Sequence, residues 1–251
     1  NWRVGTRCSG LVEANYSQSQ SDFGDLGVAV DNLEKRQFYS INASCAGPAG
    51  IGLVAGADYS KTDNTFFARE RGDIRSYSYS GGLLYRSVLI GDITLRGVHE
   101  DRKFPNRYIL TPLGLEQDRV KVDRVSLAVT RPIGARLTGS ASLSYIWSKP
   151  DVSIYDNFKG VGWSAELSYL VGPKLDIGVS ASRDVTSSAA IDSSYQVARS
   201  YGVNARYKLS EKTNFTVGAS DSKRSYRGQE INPLFPLPLR GTEKTRRYYA
   251  P

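Results

Sequence analysis

Residues 161–182 put apolar side chains at every second position, reverse at Gly172-Pro173, and then do the same again. Val161, Trp163, Ala165, Leu167 and Tyr169 fall on one face, and Gly162, Ser164, Glu166 and Ser168 on the other. After Gly172-Pro173 the pattern resumes, with Leu175, Ile177, Val179 and Ala181 against Asp176, Gly178, Ser180 and Ser182. Period two is the mark of a strand with two unlike faces, since successive side chains point to opposite sides of a sheet. Two such runs about a tight turn make a β-hairpin. Strand length is the sharper constraint. Sandwich strands run about five or six residues, whereas a tilted membrane-crossing strand needs about nine to eleven. The run at 158–171 and a further one at 135–149 fit the second class.

About twelve runs of this kind are legible, near 2–19, 33–45, 51–62, 74–86, 91–103, 117–131, 135–149, 158–171, 174–187, 192–209, 214–227 and 241–249. Short connections at 46–50, 87–90, 132–134, 172–173 and 210–213 take turns with longer ones at 20–32, 63–73, 104–116, 150–157 and 228–240, and a brief one at 188–191. Trim turns at one end and long loops at the other characterise bacterial outer-membrane barrels. The pattern predicts an all-β fold: a transmembrane antiparallel up-and-down β-barrel of at least about twelve strands, in one domain spanning 1–251. The expected location is the bacterial outer membrane. The chain starts at Asn1, contains no Met, and stops at Tyr248-Tyr249-Ala250-Pro251 where a further strand could begin, so both ends are expected to be truncated. Between Lys121 and Val129 the apolar phase changes from even to odd, which predicts a bulge near Asp123-Arg124 or a displaced strand start. The apolar, proline-rich stretch 232–239 is expected to form a flap or a loop folded into the mouth.

Composition agrees with this reading. No segment approaches the eighteen or so consecutive apolar residues of a spanning helix, and a mean hydropathy of −0.38 suits a barrel with a polar interior. The chain carries 16 Tyr, 8 Phe and 3 Trp. Trp2, Tyr16, Tyr59, Tyr85, Phe158 and Tyr207 fall near expected strand ends, where amphipathic rings form interfacial girdles. Net charge is +8, but the basic residues are dispersed and no nucleic-acid motif is present, so nucleic acid is not an expected partner. Membrane lipid and lipopolysaccharide, an anionic polysaccharide or small solutes, and periplasmic export proteins are the expected partners.

Placing the polar phase inside gives the candidate lumen lining. Its basic members are Arg3, Arg7, Arg86, Arg96, Arg102, Arg124, Arg136, Arg206 and Lys208, and its acidic members include Glu13, Glu100, Glu166 and Asp176. Such residues either pair in ladders that fill a barrel or line a mildly cationic passage for an anionic solute. His99, the only histidine, lies in His99-Glu100-Asp101 with no nucleophile in any recognisable motif, and is expected to be a surface residue. No catalytic site is therefore expected. Cys8 and Cys45 fall on the first two runs in the same phase, which leaves open both a cross-strand disulfide and two separate thiols. They do not converge with His99, and neither a metal site nor a cofactor motif is expected.

Four stretches carry a family resemblance: "EDRKFPNRY" (100–108), "DNFKGVGWSAELSYLVGPKLDIGVSASRD" (156–184), "YKLSEKTNFTVGAS" (207–220) and "SKRSYRGQE" (222–230). From about residue 96 onward the chain resembles the EpsL-like outer-membrane β-barrel porins associated with exopolysaccharide operons. The resemblance implies a non-enzymatic role in exporting a sugar polymer across the outer membrane. Read from the residues alone, a diffusion porin for small anionic solutes and a non-conducting structural or adhesive barrel remain as alternatives.

Overall fold

The computed structural model describes residues 1–20, 32–67, 69–112, 114–152, 157–187, 195–211, 213–227 and 242–249. They form thirteen strands: β1 (Trp2–Val4), β2 (Cys8–Gln20), β3 (Leu33–Cys45), β4 (Gly50–Asn64), β5 (Ile74–Ser87), β6 (Gly91–Thr111), β7 (Gly114–Ile133), β8 (Leu137–Pro150), β9 (Phe158–Val171), β10 (Leu175–Ser187), β11 (Tyr195–Lys208), β12 (Asn214–Arg227) and β13 (Thr242–Tyr249). One 3-10 turn, Glu70–Gly72, interrupts the β4–β5 connection. The strands follow one another in a single antiparallel up-and-down sheet, and among the described residues β1 and β13 do not pair with each other.

The connections sort by length. Turns at 5–7, 46–49, 88–90, 134–136, 172–174 and 209–213 close one end, and longer connections leave the other, except that β6 and β7 run on until only 112–113 separate them. Gly134 and Gly172 have φ of +68° and +73°, left-handed values that an L side chain rarely adopts, so these tight turns depend on glycine.

Three details differ from the sequence reading. The first run is two strands, because the chain reverses through residues 5–7 and β1 folds back on β2 with Val4 opposite Cys8. Residues 104–116 are not a loop: β6 and β7 continue as a paired arm to Thr111 and Gly114. The expected bulge at 123–124 is absent, and the register shift lies in β6 between Lys103 and Tyr108. The apolar phase of β7 changes for another reason. Val120 and Val122 lie opposite Arg102 and Glu100 on the inner face, whereas Val125, Leu127 and Val129 point outward. The proline-rich stretch 232–239 lies outside the described residues.

The two faces are chemically unlike. Contacts between non-neighbouring strands occur on the polar face: Arg96 of β6 reaches Asn42 of β3, and Arg124 of β7 approaches Asp184 of β10. The sheet is therefore curled with this face inside. The apolar face looks out, where Leu53, Leu83, Leu95, Leu127 and Leu143 are 46% to 61% exposed. A water-soluble fold would bury such a surface; in a membrane protein it meets hydrocarbon.

One row of cross-strand partners reads this outer face from strand to strand. In order it is Val4, Cys8, Cys45, Leu53, Leu83, Leu95, Leu127, Leu143, Trp163, Arg183, Arg199, Lys223 and Lys244. Strand stagger makes the row climb. Cys45 adjoins a short turn, whereas Arg183, Arg199 and Lys223 stand about nine residues above theirs, the length of one crossing. The composition follows the climb, with aliphatic side chains through the middle, a tryptophan at the edge, and charge beyond it. A second row gives Tyr39, Tyr59 and Tyr77 and then Asp101, Lys121 and Lys149. Tyr39 and Tyr59 stack with ring centroids 6.1 Å apart, and Tyr59 and Tyr77 are 4.9 Å apart. These rings are the upper interfacial girdle. Above it the β6–β7 arm leaves the membrane layer.

Candidate functional site

The inner wall of β3–β6 is a connected polar surface. The Ser40 hydroxyl donates to Asp58 Oδ1 at 2.7 Å, and that of Ser78 to Oδ2 at 3.1 Å. The Asn42 amide donates to Ser40 Oγ at 2.7 Å. Arg96 lies across these strands, with Nη2 donating to Ser80 Oγ at 2.6 Å and to Asn42 Oδ1 at 3.2 Å. Gly56 permits this: a Cβ there would come 2.4 Å from Asn42 Oδ1 and 2.8 Å from Arg96 Nη2. The result is a cation held flat against the wall by a hydroxyl and an amide group.

Higher on the same wall, Ser76 donates to Glu100 at 2.7 Å, and Arg102 pairs with Glu100 at 2.7 Å. Arg124 stands 3.5 Å from Asp184. Near the short turns Arg86 pairs with Asp92 at 3.3 Å and donates to the Gly47 carbonyl at 3.1 Å. Arg3 is opposite Ser9, and Glu13 opposite Ser40. Glu166 sits between Ser140 and Ser180. Asp176 accepts from Ser168 at 2.9 Å and faces Arg206, while Lys208 faces Asn214. Two residues expected on the wall are not there. Arg7 and Arg136 occupy the exposed turns at 5–7 and 134–136, where no strand phase directs a side chain inward.

The upper lumen holds something different. Phe104, Val120, Val122, Ile146 and Val185 form a buried apolar cluster, with Ile74, Phe158 and Val197 packed at its margin. Phe158 thus faces inward and is no girdle residue. Val185 reaches the cluster because β9–β10 pairing ends at Arg183 opposite Trp163. Above that point β10 steps onto the inner face of its neighbour, and a Cβ added to Gly162 would lie 3.2 Å from the Arg183 carbonyl oxygen. The upper β10–β11 arm therefore lies inside the wall and packs Val185 against the cluster of β6–β8.

A bulge fixes the opposite side of this contact. Residues 104–107 of β6 face a single residue of β7, Asp118. The extra length lets Phe104 turn fully inward, and the Arg107 guanidinium stacks over its ring at 3.5 Å. Arg107 also pairs with Asp118 at 2.5 Å, both side chains being almost fully buried. This pair lies in the arm above the girdle, outside the membrane layer. There burial raises the Asp118 pKa, while the Arg107 charge and hydrogen bond oppose the rise. Next to it, Asn106 donates to Asp73 Oδ2 at 2.9 Å, Asp73 Oδ1 accepts from the Asn64 amide at 3.0 Å, and Asn64 Oδ1 accepts from Asn32 at 2.9 Å. The β2–β3 and β4–β5 connections are thereby tied to the bulge.

On the outer face, His99 Nδ1 lies 2.7 Å from Asp123 Oδ1, with both side chains about half exposed. A disulfide joins Cys8 and Cys45, whose Cα atoms are 4.0 Å apart. Among the described residues no three His, Cys, Asp or Glu side chains are grouped as a metal site would require.

Residues 125–232, from the middle of β7 to just beyond β12, match the family described as "Putative beta-barrel porin 2". No curated protein matches the chain. Among solved structures, the siderophore receptor PirA from Acinetobacter baumannii aligns at 8% identity and TM-score 0.44, over 96% of this chain and 52% of the receptor. The chain thus spans about half the length of that receptor. A Pseudomonas aeruginosa FadL homologue aligns at 14% identity and TM-score 0.45, over 98% of this chain and 73% of its own. The β domain of the Bordetella autotransporter BrkA aligns at 12% identity and TM-score 0.37, over 97% and 96%. The lipid-facing leucine band, the girdle, the two classes of connection and the match to a porin-type family together make this chain an up-and-down β-barrel wall of the bacterial outer membrane.

Proposed function

We propose that this barrel takes part in moving a hydroxyl-rich, anionic sugar polymer outward across the outer membrane, and that it is closed at rest. The observation that carries the proposal is Arg96, held by Ser80 and Asn42 on the inner wall, where Asn42 continues through Ser40 to Asp58. Rigid hydroxyl and amide groups exchange hydrogen bonds with sugar hydroxyls, and a fixed cation attracts carboxylate or phosphate substituents. The similarity of "EDRKFPNRY" and the following stretches to exopolysaccharide-associated barrels supports the same substrate class. Passage requires the upper β10–β11 arm to leave the apolar cluster. Periplasmic proteins of the export system would dock at the short turns.

Deleting the gene tests this reading. Polymer should accumulate in the periplasm, and plasmid-borne protein should restore secretion. Unchanged secretion in the deletion strain contradicts it. The apolar closure favours a second reading, a non-conducting barrel whose long connections are its working surface. Planar-bilayer recording separates that from an anion-selective diffusion pore: silence under all conditions supports the first, and steady anion-selective conductance the second.

A further inference from the structure

The outer-face row ends in four cations on consecutive strands. Arg183 of β10 faces Arg199 of β11, Arg199 faces Lys223 of β12, and Lys223 faces Lys244 of β13. Directly opposed side chains in an antiparallel sheet stand about 5 Å apart, and like charges in such positions repel. Arg183 directs one guanidinium nitrogen to the Val161 carbonyl. Among the described residues, Arg199, Lys223 and Lys244 have no carboxylate at ion-pair distance, and all three are exposed. Asp221, the acid on the same face, is engaged by Arg246 at 3.0 Å. The charges at the corresponding level of β6–β8 are arranged otherwise: Arg119 pairs with Asp101 at 2.5 Å, and Lys121 with Asp151 at 3.2 Å. Carboxylates thus engage Arg119 and Lys121 in one sector, and among the described residues none engages Arg199, Lys223 or Lys244 in the other.

Position identifies what neutralises it. The strip begins beside Trp163, about one crossing length above the short turns, which places it at the outer headgroup level. Beneath it lies a shallow depression lined by Val179, Ala181, Val203 and Ala219, bordered by Tyr201 and Tyr248, with the Asp221–Arg246 ion pair also on its lining. The two alanines leave a furrow between the rings that runs into the hydrocarbon band. We infer that this sector is a binding site for a phosphorylated outer-leaflet glycolipid. The phosphates of its headgroup bridge Arg199, Lys223 and Lys244, and an acyl chain lies in the furrow below. Each phosphate brings more than one negative charge and several acceptor oxygens, so two opposed cations share one group in place of repelling each other. The inference rests on the membrane placement of the row and not on the transport reading.

The test uses the full chain in neutral phosphatidylcholine nanodiscs, with bisphosphorylated lipid A as probe and native mass spectrometry to count retained lipid. Wild-type protein should retain lipid A at least tenfold better than the Arg199→Gln/Lys223→Gln variant. The exchanged pair Arg199→Lys/Lys223→Arg should restore retention, and Lys121→Gln/Lys149→Gln should leave it unchanged. Retention should fall with added salt and with enzymatic removal of the phosphates. Heat-modifiable mobility on gels confirms that each variant is folded. Equal retention by all variants, or retention indifferent to the phosphates, overturns the inference. Displacement of lipid A by millimolar inorganic phosphate also overturns it, because the site would then take the free anion.

Discussion

The Arg107 guanidinium lies 3.5 Å above the centre of the Phe104 ring, inside a four-residue bulge of β6 that faces Asp118 alone. Both residues are buried, so the bulge is a fixed part of the upper lumen. Phe104→Ala removes the ring that Val120, Val122 and Ile146 pack upon, and should cost about 3–5 kcal/mol. Urea titration monitored by tryptophan fluorescence measures the loss, and an unchanged midpoint contradicts the packing.

Asp118→Ala leaves the Arg107 charge buried without its ion-pair partner. Breaking a buried pair in this way costs about 3–5 kcal/mol, more than removing both charges together. The variant should show protease cutting within the β6–β7 arm, while the Arg107→Met/Asp118→Leu pair should resist cutting better than the single change. The opposite order of protease resistance contradicts a buried pair.

Arg96 lies flat because Gly56 leaves room for it. Gly56→Val should push the guanidinium off Asn42 and Ser80, and Arg96→Ala should remove the inner cation. If the closed state can be opened by voltage or by cutting the β10–β11 arm, either change should lower anion over cation selectivity. Selectivity identical to wild type in both variants contradicts an inner-wall role for Arg96.

The Cys8–Cys45 disulfide links residues 37 apart in sequence. Cross-linking a loop of that length should stabilise the β2–β3 hairpin by about 3–4 kcal/mol. Cys8→Ser/Cys45→Ser should therefore unfold at lower denaturant, and free-thiol labelling of unreduced, denatured wild type should find none. Two labelled thiols per chain contradict the bond.

His99 and Asp123 meet on the exposed outer face, between Tyr79 and Trp147 in their row. The pair is half exposed at the level of the ring girdle, so its loss removes a surface contact and no core packing. His99→Ala should therefore change neither folding in detergent nor polymer secretion beyond experimental scatter. A secretion defect equal to that of the deletion strain contradicts the surface role.

Much of the fold was legible because period two is a strong signal when it persists for a crossing length. The 158–171 and 174–187 hairpin and the alternation of short and long connections both follow from it. What the pattern hid is where side chains leave the rule that outer means apolar. Val120, Val122, Ile146 and Phe158 are apolar and inward, and on a linear reading the first two imitate a register slip. The useful signal was present: an apolar residue in the polar phase on three successive strands marks a filled lumen. Arg7 and Arg136 escape the pattern because a turn residue belongs to neither phase. The 104–116 arm reads as a loop along the sequence, since its pairing partners lie across a bulge that period two cannot detect. The cation ladder is invisible along the chain, since its members are adjacent only across strands.

The leucine row faces hydrocarbon while Arg96 and Ser126, its opposed neighbours in the next row, face the interior. Spin labels placed singly at positions 83, 95, 127, 96 and 126 in a Cys8→Ser/Cys45→Ser background, reconstituted in bilayers, test it through collision with oxygen and with a water-soluble nickel chelate. Labels at 83, 95 and 127 should collide strongly with oxygen and scarcely with nickel, and those at 96 and 126 should not share that lipid signature. Nickel access at the leucine positions equal to that at 96 and 126 would contradict the account.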